Sequence, residues 1–157
     1  MKNYKGIKIE IKPTAEQIEK INRTIGTGRF LYNFYIAYNK EIYEKEKRFV
    51  TGFEFSKYIN NIFIKENPDK SWIKDVSSKS NKQAIMNSEK AFKRFFNKIS
   101  SFPKFKKKSH NNQKCYFFKN NKTDFEFYRH KIKIPTLKFV RLKEYGYIPK
   151  NTNIKSR

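Results

Sequence analysis

The hydrophobic period of this chain changes twice, and the change limits the folds open to it. Near the start, "YKGIKIEIKP" alternates, with Ile7, Ile9 and Ile11 on one face and the lysines and Glu10 on the other. That pattern predicts a half-buried strand, ended by Pro13. From Thr14 to about residue 99 the apolar residues recur at helical spacing instead. Beyond residue 108 alternation returns in "KCYFFK", "DFEFY", "KIKIP" and "KFVRLK", short strands separated by "NNKT" and "RH" turns. The order is strand, four helices, then a meander. It predicts an α+β fold in which a helical insert divides one small β-module, and the first strand returns to the later sheet.

The helical block carries its own punctuation. Thr14 is placed to cap a helix, and Gln17, three residues on, completes a capping box. Ile18, Ile21 and Ile25 make that helix's apolar face, and "GTG" at 26–28 is expected to break or sharply bend it. A long amphipathic helix is expected over residues 29–48, with Phe30, Phe34, Ala37, Tyr38 and Ile42 as its buried stripe and Leu31 and Tyr35 on the flank. Thr51 or Gly52 marks the break before a third helix, residues 54–65, stopped by Pro68. "SWIKDVSS" is a connector anchored by Trp72, after which Ser77 caps a fourth helix reaching about residue 99. Ala84, Ile85, Ala91, Phe92, Phe95 and Phe96 form its inner face, and Asn81 and Ser88 are a weak point on the same stripe.

Charge narrows the function. The formal net charge is +23, from 37 Lys and Arg against 14 Asp and Glu. So much like charge opposes a compact state and points to a polyanionic partner, for which counterion release rewards each lysine. An AT-rich coding bias would inflate lysine, but it would inflate glutamate as well. Residues 1–100 carry 21 basic and 11 acidic side chains, and residues 101–157 carry 16 and 3, so the last third is the more electropositive. Aromatic residues make up 17% of the chain, which argues for a folded protein rather than a basic tail. An anionic membrane surface would require a helix with a basic polar face. Residues 29–48 mix acids with bases, which argues against a membrane. The lone Cys115 excludes an intramolecular disulfide, and with His110 and His130 it makes no zinc finger. The start has no apolar run long enough for a signal peptide, so a cytoplasmic, nucleoid-associated protein is expected.

No catalytic constellation is apparent. Two-metal hydrolysis needs clustered carboxylates, and the strand-rich half offers only Asp124, Glu126 and Glu144, whose expected role is structural. There is no P-loop, Gly-rich dinucleotide turn or His-based metal motif. The binding features are richer. In "SFPKFKKK" (101–108), Lys104, Lys106, Lys107 and Lys108 stand with Phe102, Phe105 and a proline, and no acid. Lysine is a mobile point charge suited to phosphate contact, and nearby rings can stack on unpaired bases. The alternative is that the phenylalanines plug the core while the lysines point to solvent; the proline-fixed "FPKF" favours ordered presentation.

The order of motifs resembles the N-terminal half of the OrfB/TnpB insertion-sequence family, RNA-guided DNA endonucleases once labelled transposases. The matching segments, in order, are "YKGIKIEIKPTAEQIEKIN", "GTGRFLYNFYIAYNKEIYEK", "TGFEFSKYI", "SWIKDVSS…AFKRFF", "FPKFKKK" and "IKIPTLKFVRLK". Together they cover almost the whole chain. The resemblance implies a split, wedge-type β-barrel from the first strand (residues 1–13) and the late strands, with residues 14–100 as a helical, helix-turn-helix-like recognition lobe. Residues 101–157 would be the basic segment and remaining barrel strands. In the family, pairing reads the target sequence while protein reads shape and a flanking motif.

What the resemblance implies for particular residues follows from position. Arg29, Tyr32 and Asn33 match an "RF-YN" signature and would contact nucleic acid, with a structural role open for Tyr32. Ser56, Ser78 and Lys82 occupy positions facing the duplex beside the flanking motif. Lys119 and Asn120 match a hairpin tip of similar role, and Lys104, Lys106, Lys107 and Lys108 match the family's basic segment. The family's nuclease half, with its acidic metal ligands, has no counterpart here. The chain is therefore expected to act as a truncated, non-catalytic module that binds guide RNA and double-stranded DNA. It would use no cofactor of its own, the divalent metal of relatives belonging to the nuclease domain, and neither a membrane nor a small-molecule substrate is expected. The alternatives are one half of a split nuclease, or a nuclease-less DNA-binding regulator.

Overall fold

The computed structural model describes residues 3–109, 114–119 and 125–149. The chain divides into two compact units, one of Met1–Ile21 with Phe117–Arg157, the other of Asn22–Tyr116.

In the first unit, β1 (Ile11–Lys12), β2 (Glu126–Phe127), β3 (Lys131–Ile134) and β4 (Lys138–Leu142) form an antiparallel sheet in the order β1-β4-β3-β2. The first strand does return to the later ones, with Ile11 opposite Leu142 and Lys12 opposite Arg141. It is shorter than the alternation predicts. β4 ends at Leu142, and a bond from the Lys143 N–H to the Glu10 carbonyl, 2.9 Å, is the last before the ladder stops. On β4 Val140 and Leu142 are buried while Phe139 and Arg141 are exposed, the period-2 pattern of a strand covered on one face. Among the described residues the strands make an open four-stranded sheet with β1 and β2 as its edges.

Helix α1 (Ala15–Glu46) opens with the expected capping box. The Thr14 N–H donates to Gln17 Oε1 at 2.9 Å, and the Gln17 N–H to Thr14 Oγ1 at 3.3 Å. Gln17 does more than cap. Its Nε2 donates to the carbonyls of Leu137 and Phe139, at 2.9 and 2.8 Å, which fastens the helix start to the β3–β4 hairpin and satisfies a buried amide.

The expected break at 26–28 is absent, because α1 runs unbroken through Gly26-Thr27-Gly28. Each interior glycine costs a helix about 1 kcal/mol. Tertiary packing overrides that cost here: Thr27 is buried, and a Cβ on Gly28 would lie 3.6 Å from that of Ala84 on α4 (Ser78–Phe96), so small residues let the helices approach. The buried stripe is also rotated from its expected centre. Leu31, Tyr35, Ile36 and Asn39 are buried, whereas Phe30, Phe34, Tyr38 and Ile42 are half-buried and Ala37 is exposed.

The rest of the second unit wraps this stripe. The Thr51–Glu54 capping box starts α2 (Gly52–Tyr58), which continues through a π turn (Ile59–Phe63) into α3 (Ile64–Glu66). Pro68 stops the run, as expected, and opens a 3-10 helix (Pro68–Asp75) in place of an irregular connector. Trp72 on it meets Phe30 edge-on at 5.2 Å. The core joins Leu31, Tyr35 and Ile36 to Val50, Phe55, Ile59, Ile73, Ile85 and Phe92. A polar clasp holds the α1–α2 connection. The Tyr35 hydroxyl donates to the Val50 carbonyl at 2.7 Å, and the Val50 N–H donates to Asn39 Oδ1 at 2.7 Å. Burial raises the Tyr35 pKa well above its ordinary 10.0, so the hydroxyl stays a donor.

Ser88 is not the weak point its composition suggests. It is fully buried, and its hydroxyl donates to the Tyr32 carbonyl at 3.1 Å, so a small polar residue serves the close approach of α4 to α1. Asn81 donates to the Ile73 carbonyl at 2.8 Å, while its Oδ1 is buried with no hydrogen-bond partner among the described residues. The predicted "KCYFFK" strand is not one: residues 114–119 are irregular, and the Tyr116 carbonyl accepts from the Ser80 hydroxyl on α4 instead of a neighbouring strand.

Candidate nucleic-acid interface

The basic stretch owes its position to how α4 ends. The Ile99 N–H bonds the Arg94 carbonyl and the Lys98 N–H that of Phe95, both at 2.9 Å, with Lys98 at φ +59°. This is a Schellman turn with lysine where glycine is usual, and it reverses the chain after one residue. Pro103 is then buried. Phe102 packs edge-on against Phe92 and Phe95, at 5.5 and 5.4 Å, yet stays 43% exposed, and Phe105 is 57% exposed. The two phenylalanines therefore do not plug the core. Phe105 instead lines an open hollow with Phe30, Phe34 and Ala37.

Asn33 is what pins the segment to α1. Its Nδ2 donates to the Lys106 carbonyl at 2.9 Å, and its Oδ1 accepts from the Lys106 N–H at 2.8 Å, so one amide side chain holds both backbone groups of one residue. The Lys106 ammonium then lies 4.1 Å from the centre of the Tyr32 ring, a cation–π contact. Tyr32 is buried, and burial raises its pKa.

Beside this clasp lies a cleft of about 160 Å³ between α1, α4 and residues 106–107 and 114–116. Arg29, Lys106, Lys107 and Lys114 stand around it, with Thr24, Ser80 and Asn87 as polar lining and Gly28 and Ala84 leaving room. Burial, and then the neighbouring Lys114 charge, lowers the Lys106 pKa below its ordinary 10.5. Cations brought close enough to disfavour one another make a site that an anion relieves. Cys115 also lines the cleft, its thiol pKa raised by burial.

Of the residues expected from sequence, Arg29, Lys106 and Lys107 meet at this cleft, and Tyr32 and Asn33 support it. Lys104 and Lys108 are exposed on the same segment and do not line it. Ser56 on α2 and Ser78 and Lys82 on α4 do not line it either; the Ser56 carbonyl accepts from Asn60 Nδ2 at 2.8 Å. Lys119 is half-buried in the other unit, and Asn120 lies outside the described residues. Asp124 and His110 also lie outside them. Glu126 is paired with Lys133 at 3.2 Å. Among the described residues no group of three or more His, Cys, Asp or Glu could hold a metal ion, and no helix is long and apolar enough to cross a membrane. Sequence reasoning missed Lys114 and Asn87. Lys114 was hidden in a stretch read as strand, and Asn87 sits on the helix flank one turn after Gln83, whose Nε2 it accepts at 2.8 Å.

Residues 1–48 match the family model HTH_OrfB_IS605, described as a helix-turn-helix domain. In this structure the matched segment is β1 followed by the single unbroken helix α1. That match covers less than a third of the chain and is a similarity to the OrfB family whose motif order the sequence resembles. Two curated relatives extend the similarity beyond that segment. The protein named "Putative RNA-guided DNA endonuclease InsQ" of Escherichia coli (strain K12) is 28% identical over 111 residues, 71% of this chain and 27% of that protein. A "Putative RNA-guided DNA endonuclease" of Streptomyces pristinaespiralis is 28% identical over 102 residues, 65% of this chain and 25% of that protein. The chain thus spans about a quarter of the length of these relatives.

Proposed function

We propose that this chain binds nucleic acid, holding guide RNA and double-stranded target DNA in the manner of an OrfB/TnpB protein, and that it does not itself cleave. The observation that carries the reading is the convergence of Arg29, Lys106, Lys107 and Lys114 on one cleft, in a chain of net charge +23. Guanidinium and ammonium groups at a cleft edge suit phosphate oxygens, and such contacts position a polynucleotide without reading its bases. The relatives' names supply the RNA-guided context. In this reading the helical unit is the recognition lobe, and the four strands belong to a split barrel of the wedge type.

The test is a mobility-shift series on structured RNA and on duplex DNA across a salt range, with chelator present throughout. Binding should persist in chelator and fall steeply as salt rises, by roughly 10³-fold or more between 50 and 200 mM if about six phosphates are neutralised. Alkylation of Cys115 by iodoacetamide reports on the cleft itself, and bound polynucleotide should slow it. Salt-independent binding, or strand cleavage by the chain alone with magnesium, would overturn the reading.

A further inference from the structure

The sheet of the first unit has two unlike faces, and the strand register decides which residues share each. Residues opposite one another in antiparallel strands project to the same side. Lys12 pairs with Arg141, and Arg141 with Lys131, which puts three cations side by side across β1, β4 and β3. The next row on that face is Phe139, Lys133 and Glu126, from β4, β3 and β2. Tyr128 follows Glu126 by two residues, and its ring lies 5.9 Å from that of Phe139. The opposite face carries Ile11, Leu142, Val140, Ile132 and Phe127.

The first of these faces is costly for a free protein. Like charges directly opposite one another weaken a sheet, and no carboxylate stands in the row of Lys12, Arg141 and Lys131. The carboxylates on this face are already engaged: Glu10, two residues before Lys12, pairs with Lys143 at 2.7 Å, and Glu126 is held by Lys133 at 3.2 Å and by the Tyr128 hydroxyl at 3.3 Å. The rings are exposed as well, Tyr128 by 49% and Phe139 by 42%. Lys131 Nζ sits over both, 5.2 Å from the Tyr128 centre and 4.7 Å from the Phe139 centre. Cations in a line with two exposed rings beside them match a single-stranded polynucleotide: phosphates answer the charge, and unpaired bases stack on the rings.

We infer that this sheet face is a stacking platform for unpaired bases of a single strand, with Tyr128 and Phe139 as the rings and Lys12, Arg141 and Lys131 following the backbone. The inference rests on the nucleic-acid reading above, and it adds a second binding surface, in the other unit, that depends on bases rather than on phosphates alone. Lys131 is its positioning residue, holding the two rings under one ammonium.

The experiment compares the full chain's affinity for an oligouridylate of about 12 nucleotides with that for an abasic oligomer of equal length. The wild type should prefer the oligomer with bases. Tyr128→Ala with Phe139→Ala should lower affinity for oligouridylate about tenfold or more and leave the abasic affinity unchanged. Tyr128→Leu with Phe139→Leu keeps apolar bulk if the alanines unfold the sheet, and should lose the same preference. Tyr128→Phe with Phe139→Tyr keeps both rings and should retain it. Equal wild-type affinity for the two oligomers, or a preference that survives the leucine pair, overturns the platform while leaving phosphate binding intact. Failure to bind either oligomer or duplex overturns the nucleic-acid reading itself. Ring-dependent binding to phosphatidylserine vesicles in place of oligonucleotide would reassign the face to a membrane.

Discussion

Replacing Asn33 by alanine separates two roles that the same residue could play. If Asn33 touches nucleic acid directly, an uncharged contact is lost and little else changes. If it acts through Lys106, as its two hydrogen bonds of 2.8 and 2.9 Å indicate, the basic segment loses its tether to α1. Each such bond contributes about 0.5–1.5 kcal/mol net, and both are solvent-accessible here, so the loss should total about 1–1.5 kcal/mol. For a chain of this size that is a fall in Tm of about 3–5 °C, readable by circular dichroism. The salt dependence of binding gives the sharper reading. Freed from the helix, Lys104, Lys106, Lys107 and Lys108 no longer present together, and the slope of log K against log salt should fall by about 1–3. A weaker complex with an unchanged slope and an unchanged Tm would refute the tether and make Asn33 a direct contact.

Further perturbations test the packing beneath the site. Tyr35→Phe removes the buried donor to the Val50 carbonyl, 2.7 Å away, and should cost about 1–3 kcal/mol in a thermal or urea melt. An unchanged melt would mean water reaches that carbonyl. Gly26→Ala should stabilise by about 0.5–1 kcal/mol, since a Cβ there meets nothing within 4 Å and helix propensity is gained. Gly52→Ala should destabilise by about 1–3 kcal/mol, because its Cβ would sit 3.0 Å from Glu89 Oε2 and 3.3 Å from Ile85 Cγ2. Equal shifts for the two glycines would show that propensity alone sets the outcome.

Local chemistry made much of this fold legible. The Thr14–Gln17 box, the break at Thr51 or Gly52 and the stop at Pro68 all follow from residue types a few positions apart. What stayed hidden depended on partners distant in sequence. Gly28 read as part of a break because its reward, the approach of Ala84, lies more than 50 residues away. Phe30 and Phe34 outrank Leu31 and Asn39 in size, but the elements packing on α1 rotate its buried face past them. Ser88 looked like a defect until Tyr32 supplied its acceptor. The site divides in the same way. A run of lysines announces a binding segment, whereas nothing local says that Lys114 joins Arg29 at one cleft, or that Asn33 holds Lys106 in place.

The discontinuity of the sheet unit bears on how the chain is made. Glu10 and Lys143, 133 positions apart, form a 2.7 Å ion pair, and among the described residues β1 pairs with β4 alone. At about 5–20 residues per second, the first strand waits about 7–25 s on the ribosome for its partner. The helices of the second unit are complete well before then and need none of the later strands for their core. Synthesis therefore favours a helical unit that closes first, and a sheet whose strands are joined last.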